Sequence, residues 1–134
     1  MFAIKREQRE ALAEPAFVER TVNYLRDTFL LHVHMLDDAE LRTRVKHGIE
    51  RARSYGLTWE SSITIFVTHM LTINPEFDKQ KTIKRVLLDA DISVNSRMSA
   101  MLGLVDDEDW EEATTQCDPE AYWARVRGLS AKED

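Results

Sequence analysis

Four histidines, one cysteine and two dense charge runs are the residues of this 134-residue chain whose chemistry could do work. His32 and His34 stand two positions apart, so on a helix they diverge by about 200° and cannot share one ion. In a strand they would face the same way, but Leu31 and Val33 would then need a sheet that the chain does not offer. His47 and His69 fall on different predicted helices. A metal site would need several of these imidazoles to converge with a carboxylate, and no spacing announces it. Cys117, the single cysteine, can form no internal disulfide and begins no zinc cluster alone. It reads as a small half-buried side chain beside a helix cap. There is no Gly-rich phosphate loop, no nucleophile elbow and no Cys/His pair at informative spacing. The run Asp106, Asp107, Glu108, Asp109 offers many carboxylates, but general acid–base work needs carboxyls whose environments push their pKa values apart. A consecutive, solvated run does the opposite. No catalytic, cofactor-binding or metal-ligating residue is assigned, and the chain is expected not to be an enzyme.

The second charge run is basic and raises nucleic-acid binding as the alternative function, a small nucleic-acid-binding or regulatory helical protein. Arg42, Arg44, Lys46, Arg51 and Arg53 sit on one predicted helix, read as its outer, solvated face. "YGLTWESS" then turns the chain into another helix, which resembles a helix-turn-helix in outline. A recognition helix must offer polar or basic side chains to the groove. Here that helix reads "WESSITIFVTHML", which seeks the core and opens with Glu60. The whole chain is acidic, with net charge −6, against the basic footprint of a duplex binder. The excess is concentrated: residues 106–134 hold three basic and ten acidic side chains, while residues 1–60 hold ten of each. An acidic C-terminal segment disfavours phosphate backbones and suits a basic protein partner, or is simply a solvated helix face. Trp110 and Trp123 lie in that segment. They serve either as interface anchors or as the side chains that dock the last helices onto the core. The candidate contact is accordingly Asp106, Asp107, Glu108, Asp109, Trp110, Glu111 and Glu112.

Helices must position all of these residues. Glycines number four and prolines three, too few punctuators for an all-β chain. A first helix is predicted over Lys5–Ala13, stopped at Pro15 because proline disfavours a helical Glu14. Val18, Val22, Leu25 and Phe29 then form one helical stripe, and "LLHVHML" either ends that helix or makes an irregular connection. Asp37 or Asp38 caps a helix that buries Leu41, Val45, Ile49 and Ala52. On this helix Gly48 allows close approach of a neighbour, and Gly56 supplies the left-handed end. Thr58 is the expected cap of a central apolar helix carrying Ile63, Phe66, Val67, Met70 and Leu71, closed by Asn74–Pro75. A shorter helix buries Ile83, Val86 and Leu87. Ser93 or Asp91 caps the next, whose stripe is Val94, Met98, Met101, Leu102 and Val105. Asp118 and Pro119 open the last helix, closed by Gly128.

The fold expected is all-α: a compact orthogonal bundle of about five to seven helices, one domain over residues 1–134, with a frayed tail over 129–134. The start of the chain has no apolar signal core, and no apolar run is long enough to span a bilayer, so a cytoplasmic location is expected. A homodimer is compatible with this reading.

One further signal is a pattern of residues. Ile4 and Gln8 are followed by Gly48, Ile49, Ala52, Tyr55 and Gly56, then by Glu60, Phe66, Met70, Pro75, Phe77 and Asp78. This series resembles a family of small all-helical bacterial proteins encoded beside type VI secretion effector and spike genes. The likeness runs from about Ile4 to Trp110. After Asp78 the chain departs from the family pattern, with "KQKTIKRVLL" where an aromatic-rich step is usual. The resemblance implies a cytosolic protein partnered with a secreted effector or spike component, as adaptor, chaperone or immunity protein. It assigns no binding residue.

Overall fold

The computed structural model describes residues 6–133, with side chains described over 14–129. Eight α-helices follow one another: α1 Arg6–Thr28, α2 Leu30–Val33, α3 Asp38–Ser54, α4 Glu60–Thr72, α5 Lys81–Leu87, α6 Arg97–Leu104, α7 Asp107–Ala113 and α8 Pro119–Glu133. Single 3₁₀ turns at Phe77–Lys79 and Val94–Ser96 lead into α5 and α6. There is no strand among the described residues, so the fold is all-α as its composition predicts. The helix count exceeds the expected range because short pieces count as elements, such as the four-residue turn α2 within "LLHVHML".

The sequence predicts a break at Pro15, but α1 runs through it. An interior proline removes one ladder donor and crowds the preceding turn, costing about 3 kcal/mol. Downstream, Phe17, Val18, Val22 and Leu25 are all buried. Burying each such side chain stabilises by roughly 1.5–3 kcal/mol, enough to hold the helix through the proline. Of the residues expected in a separate first helix, Lys5 lies outside the described residues, as do the side chains through Ala13. The same holds for Ile4 and for the Gln8 side chain.

The α3–α4 corner follows its sequence signals closely. Asp37 caps α3, accepting the Glu40 N–H at 2.8 Å. Leu41, Val45, Ile49 and Ala52 are fully buried. A Cβ on Gly48 would stand 3.0 Å from Val67 Cγ2 and 3.4 Å from Met70 Sδ, so glycine is what lets α4 approach. Gly56 has φ +91°, the left-handed turn that ends α3. The expected cap does not form on α4, however. Trp59 occupies the N-cap position and makes no side-chain cap bond. Asn95, 37 residues from Thr58, instead ties down the turn before the helix: its Oδ1 accepts the N–H groups of Thr58 and Trp59, each at 2.9 Å. Its Nδ2 donates to Thr58 Oγ1, which leaves that hydroxyl engaged outside the cap. α4 buries Ile63, Phe66, Val67 and Met70 and packs against α1, α2, α3 and α6.

Two further expectations change in the C-terminal half. Neither Ser93 nor Asp91 caps α6, which begins only at Arg97 after the 3₁₀ turn. Its inner face takes Met98, Met101 and Val105, but Leu102 is 87% exposed. The helix has two turns and packs on α5 along one side, so the neighbouring apolar position looks outward. α8 opens at Pro119, with Asp118 accepting the Glu120 N–H at 3.1 Å, and it continues past Gly128 to Glu133. The frayed tail expected over 129–134 falls, beyond Leu129, on side chains outside the described residues.

Candidate functional site: an acidic helix over a buried polar knot

The candidate contact segment folds as α7, and its acidic residues divide into two groups. Asp106 caps the helix, accepting the Asp109 N–H at 2.9 Å, while Asp109 Oδ2 accepts the Asp106 N–H at 3.3 Å. This reciprocal box satisfies donors that the helix start leaves open. Asp109 also accepts from Gln80 Nε2 at 3.1 Å. Partial burial works to raise its carboxyl, but donors from Asp106, Thr82 and Gln80 outweigh that and hold it below the ordinary range. Trp110 is half-buried, its ring 5.3 Å from that of His69 on α4. Asp109 and Trp110 therefore face the fold. Asp107, Glu108, Glu111 and Glu112 share the opposite face, at spacings of one and four, and are exposed together with Asp106. Among the described residues, none of these five carboxylates enters a salt bridge.

The basic run on α3 has the opposite fate. Arg42 pairs with Glu19 and Arg53 with Glu14, tying α3 to α1. Arg44 pairs with Glu40 and lies 4.9 Å over the Trp123 ring. Arg51 pairs with Asp78. Only Lys46 of the five basic side chains forms no salt bridge among the described residues. Arg44 and Arg51 are thus packing groups, while Arg42 and Arg53 stay on the solvated outer face that the sequence reading expects and pair there with α1.

Arg51 leads into a buried knot. Asp78 is 1% exposed, and its Oδ2 accepts from Arg51 and, at 2.6 Å, from the Tyr55 hydroxyl. Arg51 Nη1 also donates to the Pro75 carbonyl and, at 3.1 Å, to the Tyr122 hydroxyl. Tyr122 Oη is 2.6 Å from His47 Nε2, so the phenol that accepts from Arg51 can give its proton to the neutral imidazole. Burial works against the Arg51 charge, but Asp78 more than offsets it and keeps the guanidinium protonated. Burial, helped by Asp78, pushes the Tyr55 phenol well up. Burial and the adjacent Arg51 lower His47. His69, packed between Phe77 and Trp110, is lowered by burial to about 4. Desolvation acts on each of these four groups, and charged neighbours inside the packing add to it or oppose it for Arg51, Tyr55 and His47.

The loop that carries Asp78 is a hub. Asn74 is 1% exposed and donates to the carbonyls of Thr114 and Cys117, at 3.1 and 2.9 Å, pinning the connection from α7 to α8. Its Oδ1 accepts the Glu76 N–H at 2.9 Å and lies 3.2 Å from Cys117 Sγ. Cys117 is half-buried, as its sequence context suggests, and burial with nearby Glu76 raises its thiol. Buried Gln80 caps α5 by accepting the N–H groups of Thr82 and Ile83, each at 2.9 Å. The long-range bonds of Asn74 and Gln80 are missed by sequence reasoning, because those partners lie 29 to 43 residues away. The pattern residues Gly48, Tyr55, Gly56, Phe66, Met70, Pro75, Phe77 and Asp78 all take part in this corner or knot.

Other features are quickly placed. His32 and His34 are exposed on and after α2, and no group of three or more His, Cys, Asp or Glu side chains gathers at metal-binding distance among the described residues. A groove of about 540 Å³ between α1 and α3 is lined by Glu14, Pro15, Val18, Glu19, Arg42, Lys46 and Glu50, with the Glu19–Arg42 pair in its wall. Several large apolar side chains are exposed: Leu31, Met35, Trp59, Leu102 and Leu104. No helix among the described residues is long and apolar enough to cross a membrane. Comparison with family models, curated proteins and solved structures finds no match.

Proposed function

We propose that this chain is a non-catalytic protein-binding module. In this reading it acts in the bacterial cytoplasm on a basic surface of a type VI secretion effector or spike component, as adaptor, chaperone or immunity protein. The observation that carries the binding mode is the asymmetry of charge pairing. Four of the five basic side chains of α3 are paired with carboxylates, two of them at the surface, while α7 presents Asp106, Asp107, Glu108, Glu111 and Glu112 without ion-pair partners among the described residues. An unneutralised face of one sign steers a partner of the other sign and fixes its orientation. The non-catalytic part of the reading draws on the buried titratable groups, which face one another and the core: Asp78, Tyr55, Arg51, Tyr122 and His47 form one chain of contacts. The type VI association comes from the resemblance alone.

Co-expression with the product of the adjacent gene tests this function. Rescue from toxicity identifies an immunity protein. Rescue of effector folding or secretion without protection identifies an adaptor. An adjacent product that neither binds this chain nor depends on it removes the reading.

A further inference from the structure

We propose that His47 is a proton-operated latch. While neutral it holds α8 against α3, and its protonation shifts α8 toward an open arm while the other helices stay packed. The device is independent of the protein-binding reading above.

The attachment of α8 is narrow. Of its described side chains only Tyr122, Trp123 and Val126 are buried, and α3 is the element on which it chiefly packs. His47 meets the first two, its ring 5.6 Å from that of Tyr122 and 5.7 Å from that of Trp123. An element held by so few buried side chains opens at a lower free energy than the core helices. The connection that leads into it is fixed, because Asn74 holds the carbonyls of Thr114 and Cys117. α8 therefore opens from an anchored start.

The hydrogen bonds at this contact suit one protonation state only. Arg51 can only donate, so Tyr122 Oη accepts from it at 3.1 Å and turns its own proton to His47 Nε2, 2.6 Å away. A protonated imidazole carries N–H on both nitrogens. The phenol would then face two donors, and a second positive charge would stand beside Arg51. Among the described residues no acid is placed to offset it. Asp78 is engaged by Arg51 and Tyr55, Glu40 by Arg44 and Arg127, Glu76 by Lys79, and Glu19 and Glu14 of α1 by Arg42 and Arg53. Glu50 of α3 and Glu120 of α8 are exposed, and neither bears on the imidazole. The other charges at these rings are cations: Arg44 lies 4.9 Å over Trp123, and Arg125 lies 5.7 Å over Tyr122. His69 of α4 is enclosed by Phe77 and Trp110. Burial and Arg51 accordingly lower His47 while α8 is docked, and an undocked His47 returns to about 6.5. The open state takes up the proton first as pH falls, so docking is strongest above about pH 6.5 and weakens below it.

The test is amide hydrogen exchange followed by NMR on the full chain, at about pH 7 and about pH 5, with each rate referred to an unstructured peptide at the same pH. At both pH values α8 is expected to open more readily than α4. Its opening equilibrium should rise about tenfold at the lower pH. His47→Gln keeps an acceptor for the Tyr122 hydroxyl but takes up no proton, so the response of α8 should vanish in that variant. The acid response of α4 that comes from His69 should remain. His69→Leu should do the converse and leave the response of α8 unchanged. Wild type also supplies a measurement that needs no variant: the His47 ring signal should titrate below about pH 6.5. An α8 that opens only together with α4 overturns the proposal, as does an opening equilibrium that ignores pH. A response that survives His47→Gln, or a His47 ring that titrates at or above about pH 6.5, overturns it as well.

Discussion

Asp78 is the residue on which most of the interior polar structure converges. It is buried, it carries the charge that matches Arg51, and it accepts from Tyr55. Removing one member of a buried pair leaves an uncompensated charge and costs about 3–5 kcal/mol. Asp78→Ala should therefore lower unfolding free energy by that amount in urea denaturation, while Tyr55→Phe should lower it by only about 1 kcal/mol. A loss below about 1 kcal/mol for Asp78→Ala would mean that Arg51 is solvated and the knot is not buried. Gly56 makes a simpler case: at φ +91° a Cβ is strained, so Gly56→Ala should cost roughly 1 kcal/mol in the same assay. At this scale the legibility of the sequence depends on range. Gly56, Gly48 and Asp37 could be read because their reasons are local turn, packing-stripe and cap signals. The Asp78–Arg51 pair spans 27 positions, and Asn95 reaches 37 positions to hold the turn before α4, so no local pattern reports either.

Among the elements, α4 and α7 are joined by His69, whose ring contacts Phe77 and Trp110. Its pKa is lowered to about 4 by burial, against about 6.5 in an unfolded chain. The folded state thus prefers neutral His69, and the unfolded state takes up the proton first as pH falls. The stability from this group is complete above about pH 6.5 and is lost as pH drops toward about 4. His47, lowered by burial and Arg51, acts in the same direction where α8 rests on α3. The loss from His69 is on the order of 2–3 kcal/mol, and His69→Leu should flatten the slope of unfolding free energy between pH 6.5 and pH 4.5. A slope unchanged by that substitution would assign the acid sensitivity to carboxylates instead. Sequence periodicity locates the buried stripes of α3 and α4 well, since both helices are long enough for several turns to vote. It misplaces Leu102 because α6 has two turns and packs on α5 along one side. It also breaks α1 at Pro15, where tertiary burial of Phe17, Val18, Val22 and Leu25 overrides local preference.

The whole molecule sorts its charges. Ion pairs link α3 to α1 through Arg42–Glu19 and Arg53–Glu14, α4 to α1 through Glu60–Arg20, and α8 to α3 through Arg127–Glu40. The negative excess is left on the α7 face, the part of the candidate site that charge counting along the sequence does find. What it does not show is that Asp109 and Trp110 turn inward, because the partners that claim them, Gln80 and His69, come from other elements. The most direct measurement is a titration of the purified adjacent gene product against three proteins: wild type, a Glu108→Lys/Glu111→Lys/Glu112→Lys variant, and a Lys46→Glu control on α3. The expected result is a complex with wild type and control that weakens steeply with salt, and at least about tenfold weaker binding by the α7 variant. No complex, or one equally tight with all three proteins, would contradict an account in which α7 is the surface that meets the partner.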